Sequence, residues 1–171
     1  MRALGQALLT AWTGKEHRCV EDILNALLPY DQAVEVRQLT KASFLISSSK
    51  LGADTIASFI RRTPPSCAAH VFPVHASARS DIIEISNVVK NLVETDERLR
   101  GKRFYADCRV RSGEFECRAV EIAIGTALRG LATVDFKSPD FVILVNVFKD
   151  LALISILKEV DKTFGKVSRF E

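Results

Sequence analysis

The sequence predicts an α+β chain of two small domains, and three observations carry that prediction. Residues 1–75 alternate strand and helix signals in the order β-α-β-β-α-β, which is a ferredoxin-like arrangement. A polar, small-residue break follows at Ala76–Ser80. Beyond it, a long amphipathic helix opens a second series with a different order. The expected domains are 1–75 and 76–171, and 171 residues that are 47% hydrophobic can supply a core to each.

In the first domain, Gln6–Thr10 reads as a buried strand. Cys19, Ile23, Leu24, Leu27 and Leu28 form one helical face, which Pro29 ends. Ala33–Arg37 alternates as a strand, with Ser43–Ser47 as its antiparallel neighbour. Ser47–Ser49 can cap a helix over 51–62, with Ile56, Ala57 and Ile60 inside and Arg61 and Arg62 at the negative end of its dipole. His70–His75 reads as the last strand, and Pro73 suits an edge position.

In the second domain, Ser80, Asp81 and Glu84 mark a helix start, and Ile82, Ile85, Val88, Val89, Leu92 and Val93 supply its stripe. Phe104–Val110 is a strand and Ser112-Gly113 a turn. Glu116–Leu128 is a helix, with Gly130 placed to end it. Phe141–Val147 and Leu151–Leu157 are the final strands, and only Lys158–Glu171 follows them.

Several function classes lose their support. Phosphate-loop and dinucleotide-loop glycine patterns are absent, so the chain is read as not an enzyme. His17, His70 and His75 are scattered, and the odd spacing of His70 and His75 turns them to opposite faces of one strand. Cys19, Cys67, Cys108 and Cys117 lack the paired spacing of a zinc site and read as core thiols, with a Cys108–Cys117 bond left open. No metal or cofactor is implied. Without a long apolar run or a signal sequence, the expectation is a soluble, cytoplasmic protein with no membrane role.

The net charge is only +3, but its distribution is uneven. From Arg98 to Arg118 there are seven cations (Arg98, Arg100, Lys102, Arg103, Arg109, Arg111, Arg118) against three anions (Asp107, Glu114, Glu116), a surplus of four. A strand over 104–110 puts Arg103, Asp107 and Arg109 on one face and Phe104, Ala106 and Cys108 on the other. Arg111 continues the cationic face, and Arg118 lies in a helix first turn, where free N–H groups already favour an anion. Convergence of these guanidinium groups on one concave patch would suit phosphates. The opposing reading pairs Arg109 with Asp107 or Glu121 as structure. Asp135, Pro139 and Asp140 read as architecture of a turn, with Lys137 and Ser138 exposed between them as contact candidates. Trp12, Phe104 and Tyr105 are candidates for stacking on a base.

Taken together, Phe72-Pro-Val74, the Arg103–Arg111 strand, Phe115…Glu121…Gly125 and Val134-Asp135…Pro139-Asp140 before a hydrophobic strand resemble a THUMP domain over roughly 70–157. The resemblance implies binding of the tRNA acceptor arm and its 3′ CCA end, and a ferredoxin-like domain in front. Lys102, Arg103, Arg109, Arg111, Arg118, Lys137 and Ser138, selected on charge, strand face and turn exposure, are the expected RNA-binding residues. Leu8-Leu9-Thr10 followed by Glu16-His-Arg-Cys19-Val20-Glu21 is similar to the stand-alone THUMP adaptor of a tRNA cytidine N4-acetyltransferase. That similarity implies a non-catalytic adaptor presenting tRNA to a separate modifying enzyme. A small protein–protein module that uses its cations as a partner face remains the alternative.

Overall fold

The computed structural model describes residues 3–158 and divides into two compact units, with the break between Val74 and His75. The chain stretch after Lys158 that the sequence leaves beyond the last strand lies outside the described residues.

The first unit runs β1 (Gly5–Ala11), α1 (Cys19–Leu27), β2 (Glu35–Thr40), β3 (Ser43–Ser48), α2 (Ala53–Arg62) and β4 (Ala68–Val74). Its sheet is antiparallel in the order β2-β3-β1-β4, the ferredoxin-like order, with Pro73 on an edge strand where its missing N–H costs no ladder bond. Cys19, Ile23 and Leu27 recur every fourth residue on α1 and are fully buried against Ala7, Leu9, Phe44 and Ile46. The α2 stripe of Ile56, Ala57 and Ile60 closes the same core.

Ser47–Ser49 do not cap α2; Gly52 occupies the N-cap without a side-chain bond. Instead, the Ser48 hydroxyl donates to Asp31 at 2.6 Å and accepts the Leu51 N–H at 2.9 Å. The Ser49 and Ala33 N–H groups also donate to the Asp31 carboxylate, so this buried acid organises the approach to the helix. These donors, the Ser48 hydroxyl first, hold the Asp31 pKa below its ordinary value.

The second unit runs β5 (Ala76–Ala78), α3 (Ile82–Thr95), β6 (Arg103–Val110), α4 (Cys117–Ala127), β7 (Thr133–Val134), β8 (Phe141–Val147) and β9 (Ala152–Lys158). The expected break at Ala76–Ser80 is in part the short strand β5, paired with β9. The sheet order is β5-β9-β8-β6-β7, with β6 parallel to both β7 and β8. A parallel β6–β8 pair needs a crossover, and α4 provides it. Asp81, not Ser80, caps α3 by accepting the Glu84 N–H at 2.9 Å. Ile85, Val89 and Val93 of α3 and Val120 and Ile124 of α4 pack onto Phe104, Ile143, Val145 and Ile154 in one core. His75 belongs to this unit: its N–H donates to the Ile154 carbonyl and its Nδ1 accepts the Ile156 N–H, each at 2.9 Å.

All four cysteines are bonded, as Cys19–Cys67 and Cys108–Cys117, with Cα–Cα distances of 5.4 and 5.2 Å. The reading of free core thiols is thereby corrected. Cys19 and Cys67 are 48 residues apart, so only the fold shows that α1 and the start of β4 meet.

Candidate nucleic-acid interface

The seven predicted contact residues fall into separate groups. Lys102, Arg103, Lys137 and Ser138 gather where β6 begins. Arg109 and Arg111 lie at its far end, roughly 20 Å away at about 3.3 Å per residue. Arg118 stands on α4, which packs against the Phe104–Ala106–Cys108 face of the strand, whereas Arg109 lies on the other face. One concave cationic patch does not form.

The start of β6 is a cross-braced corner. The Asp140 carboxylate accepts the Arg103 backbone N–H at 2.9 Å and its guanidinium at 3.3 Å, and the Asp140 N–H returns to the Arg103 carbonyl at 2.8 Å. Asp135 lies 3.9 Å from the same guanidinium and accepts the Lys137 and Ser138 N–H groups at 2.9 and 3.0 Å. The acids of this turn therefore act as architecture, and Ser138 is held through its backbone. The Ser138 and Lys137 N–H groups lower the Asp135 pKa, and the Arg103 side chain lowers that of Asp140. Asp140 in turn raises the Arg103 pKa.

At the far end, Arg109 is paired with Asp107 at 3.0 Å, the structural ion pair foreseen as the opposing reading. Arg111 donates through Nε to Asn146 Oδ1 at 2.8 Å, and burial followed by the Arg109 charge lowers its pKa. Asn146 is fully buried and its Nδ2 has no hydrogen-bond partner among the described residues. Both guanidinium groups are thus partly committed to the protein itself. Arg118 is exposed and makes no ion pair among the described residues.

Phe136 escaped the sequence reading. It is 73% exposed and stacks on Tyr105 with ring centroids 5.8 Å apart. With Phe104, Ala106, Arg118, Glu121, Ile122, Gly125 and Val134 it lines a cavity of about 190 Å³ beside the edge of β6. Strand β7 pairs with β6 only at Arg103 and Phe104, which leaves the edge open further along. There Glu121 accepts the Cys108 N–H at 3.0 Å. Phe104 is only 1% exposed and packs against Phe141, so it is removed as a stacking candidate.

Residues 79–157 match the family described as THUMP domain. The chain shares its fold with PH1313 from Pyrococcus horikoshii Ot3 (TM-score 0.71, 12% identity, 90% of this chain and 55% of that one). It is also similar to TrmN from Thermus thermophilus (TM-score 0.58, 20% identity, 89% and 45%). A third match is a 4-thiouridine synthetase solved as an RNA complex with bound ATP (TM-score 0.60, 16% identity, 91% and 42%). No curated protein matches the chain.

The chain spans about half the length of these structures. That overturns the expectation that it is not an enzyme. A synthetase shares this fold over less than half of its own length, so absent catalytic motifs in such a fold do not exclude an enzyme. Among the described residues no helix is long and apolar enough to cross a membrane.

Proposed function

We propose that the chain binds tRNA by its acceptor arm and single-stranded 3′ CCA end and presents it to modification chemistry, with a cytidine acetyltransferase as the partner enzyme and the cytoplasm as its place. The observation that carries this reading is the THUMP domain, with Arg118 and the exposed Phe136 on one cavity. The 4-thiouridine synthetase of the same fold was solved with RNA, which supports the same direction. The protein–protein alternative has no comparable support.

In this reading Arg118 takes a phosphate with its unengaged guanidinium fork, helped by the N–H groups of the α4 first turn. Phe136 offers its ring face to an unstacked base, the mode suited to single-stranded RNA. Lys137 adds positive charge next to Phe136, Lys102 adds it at the start of β6 beside Asp140, and Arg103 holds the turn that carries Phe136 and Lys137. Arg109 and Arg111 serve at the far end of β6, with part of their charge already answered.

Fluorescence anisotropy with an acceptor-stem RNA carrying a 3′ overhang tests the site. Arg118→Ala combined with Phe136→Ala should weaken binding at least tenfold while the circular dichroism spectrum and Tm stay unchanged. Wild-type affinity in the double variant would refute the assignment.

A further inference from the structure

We propose that the Cys108–Cys117 disulfide is a reducible strap that sets how firmly the THUMP domain holds RNA, a regulation that rests on the RNA-binding reading above. The two disulfides of the chain sit in different surroundings. Cys19 and Cys67 are fully buried in the first core, sealed from reductants. Cys108 and Cys117 are each only partly buried, within reach of a dithiol in solution.

The placement of the second bond gives it leverage. Cys108 lies in β6, and Cys117 is the first residue of α4, immediately before Arg118. The strap closes the segment that contains Arg109 and Arg111. The helix start it holds is otherwise weakly secured, because the N-cap residue Glu116 makes no side-chain cap bond. A hydrogen bond also joins the same two elements, from the Cys108 N–H to the Glu121 carboxylate at 3.0 Å. Cutting the covalent tie leaves Cys117 and Arg118, ahead of the first buried residue Val120, to the backbone bonds of the helix start, while Val120, Ile124 and the Glu121 bond keep the rest of α4 on the strand.

The chemistry is thiol–disulfide exchange with a dithiol reductant. One thiolate of the reductant attacks a sulfur of the pair, forming a mixed disulfide and releasing the other cysteine, which takes up a proton. The second reductant thiol then attacks the mixed disulfide, closing the reductant's own disulfide and releasing the remaining cysteine. Two electrons and two protons pass from the reductant to Cys108 and Cys117. Arg118 then hangs on a frayed turn, and its ordering must be completed on binding, which lowers affinity.

The test uses the full chain treated with or without dithiothreitol, thiol alkylation read by mass spectrometry, and titration with the overhang RNA. Reduction is expected to alkylate Cys108 and Cys117 only and to weaken RNA binding roughly three- to tenfold. Cys108→Ser with Cys117→Ser should bind as weakly as the reduced protein and ignore the reductant. Absence of alkylation at Cys108 and Cys117, or equal affinity in the two states, overturns the strap. If neither state binds the RNA, the binding reading itself fails and the regulation falls with it.

Discussion

Arg103 and Arg118 carry the same charge in different circumstances. Arg103 is answered by Asp140 and Asp135 and holds a corner together. Arg118 faces solvent beside an apolar cavity. Arg118→Ala should therefore reduce the slope of log affinity against log salt by about 0.7, the contribution of one single-strand phosphate, as read from titrations at several ionic strengths. Phe136→Ala should cost roughly tenfold in RNA affinity, within the range of about 1–3 kcal/mol for a base stacked on an aromatic ring, and leave Tm unchanged because the ring is exposed. The Arg109–Asp107 pairing was legible, since residues two apart on a strand share a face. The Arg103–Asp140 brace was not, because it depends on Phe104 pairing with Phe141 across a parallel ladder. Phe136 was hidden by its own hydrophobicity, which argues for burial unless the turn around it is known.

Turns and helix starts carry the predictions at the level of elements. Asp135 and Asp140 have pKa values held below the ordinary carboxylate value of about 3.9 by their bonds in the folded turn. A group depressed in the folded state stabilises above its unfolded pKa and loses that contribution as pH falls through the lower folded value. The turn over 134–140 should thus stay ordered at pH 4 and loosen only in stronger acid. Carboxyl NMR titration should place both midpoints below 3.9, and midpoints at or above it would contradict the bonding. In the first unit, a Cβ on Gly5 would lie 2.4 Å from the Ala53 backbone nitrogen and 2.5 Å from the Leu51 carbonyl oxygen. Gly5→Ala should force α2 away from β1 and cost about 3 kcal/mol in denaturant unfolding. Long periodic elements such as α1 and α3 could be read from spacing alone. The short strands β5 and β7 could not, because three and two residues are too few to display a period.

For the molecule as a whole, the order of elements was readable because each long strand and helix has its own hydrophobic period, and a β-α-β-β-α-β series admits few sheet orders. The disulfides were not readable, since pairing is a property of the closed fold. Nor was the division of the cations: sequence proximity between Arg98 and Arg118 suggested convergence, but a strand and a packed helix carry neighbours in the chain to different faces. What remains at the open edge of β6 is a small mixed site, with one unengaged guanidinium, one exposed ring and an apolar floor, suited to an RNA end more than to a long duplex. Affinity for intact tRNA against the same tRNA trimmed of its CCA end, at fixed salt, tests this most directly. The account predicts that trimming weakens binding at least tenfold; equal affinity for the two RNAs would contradict it.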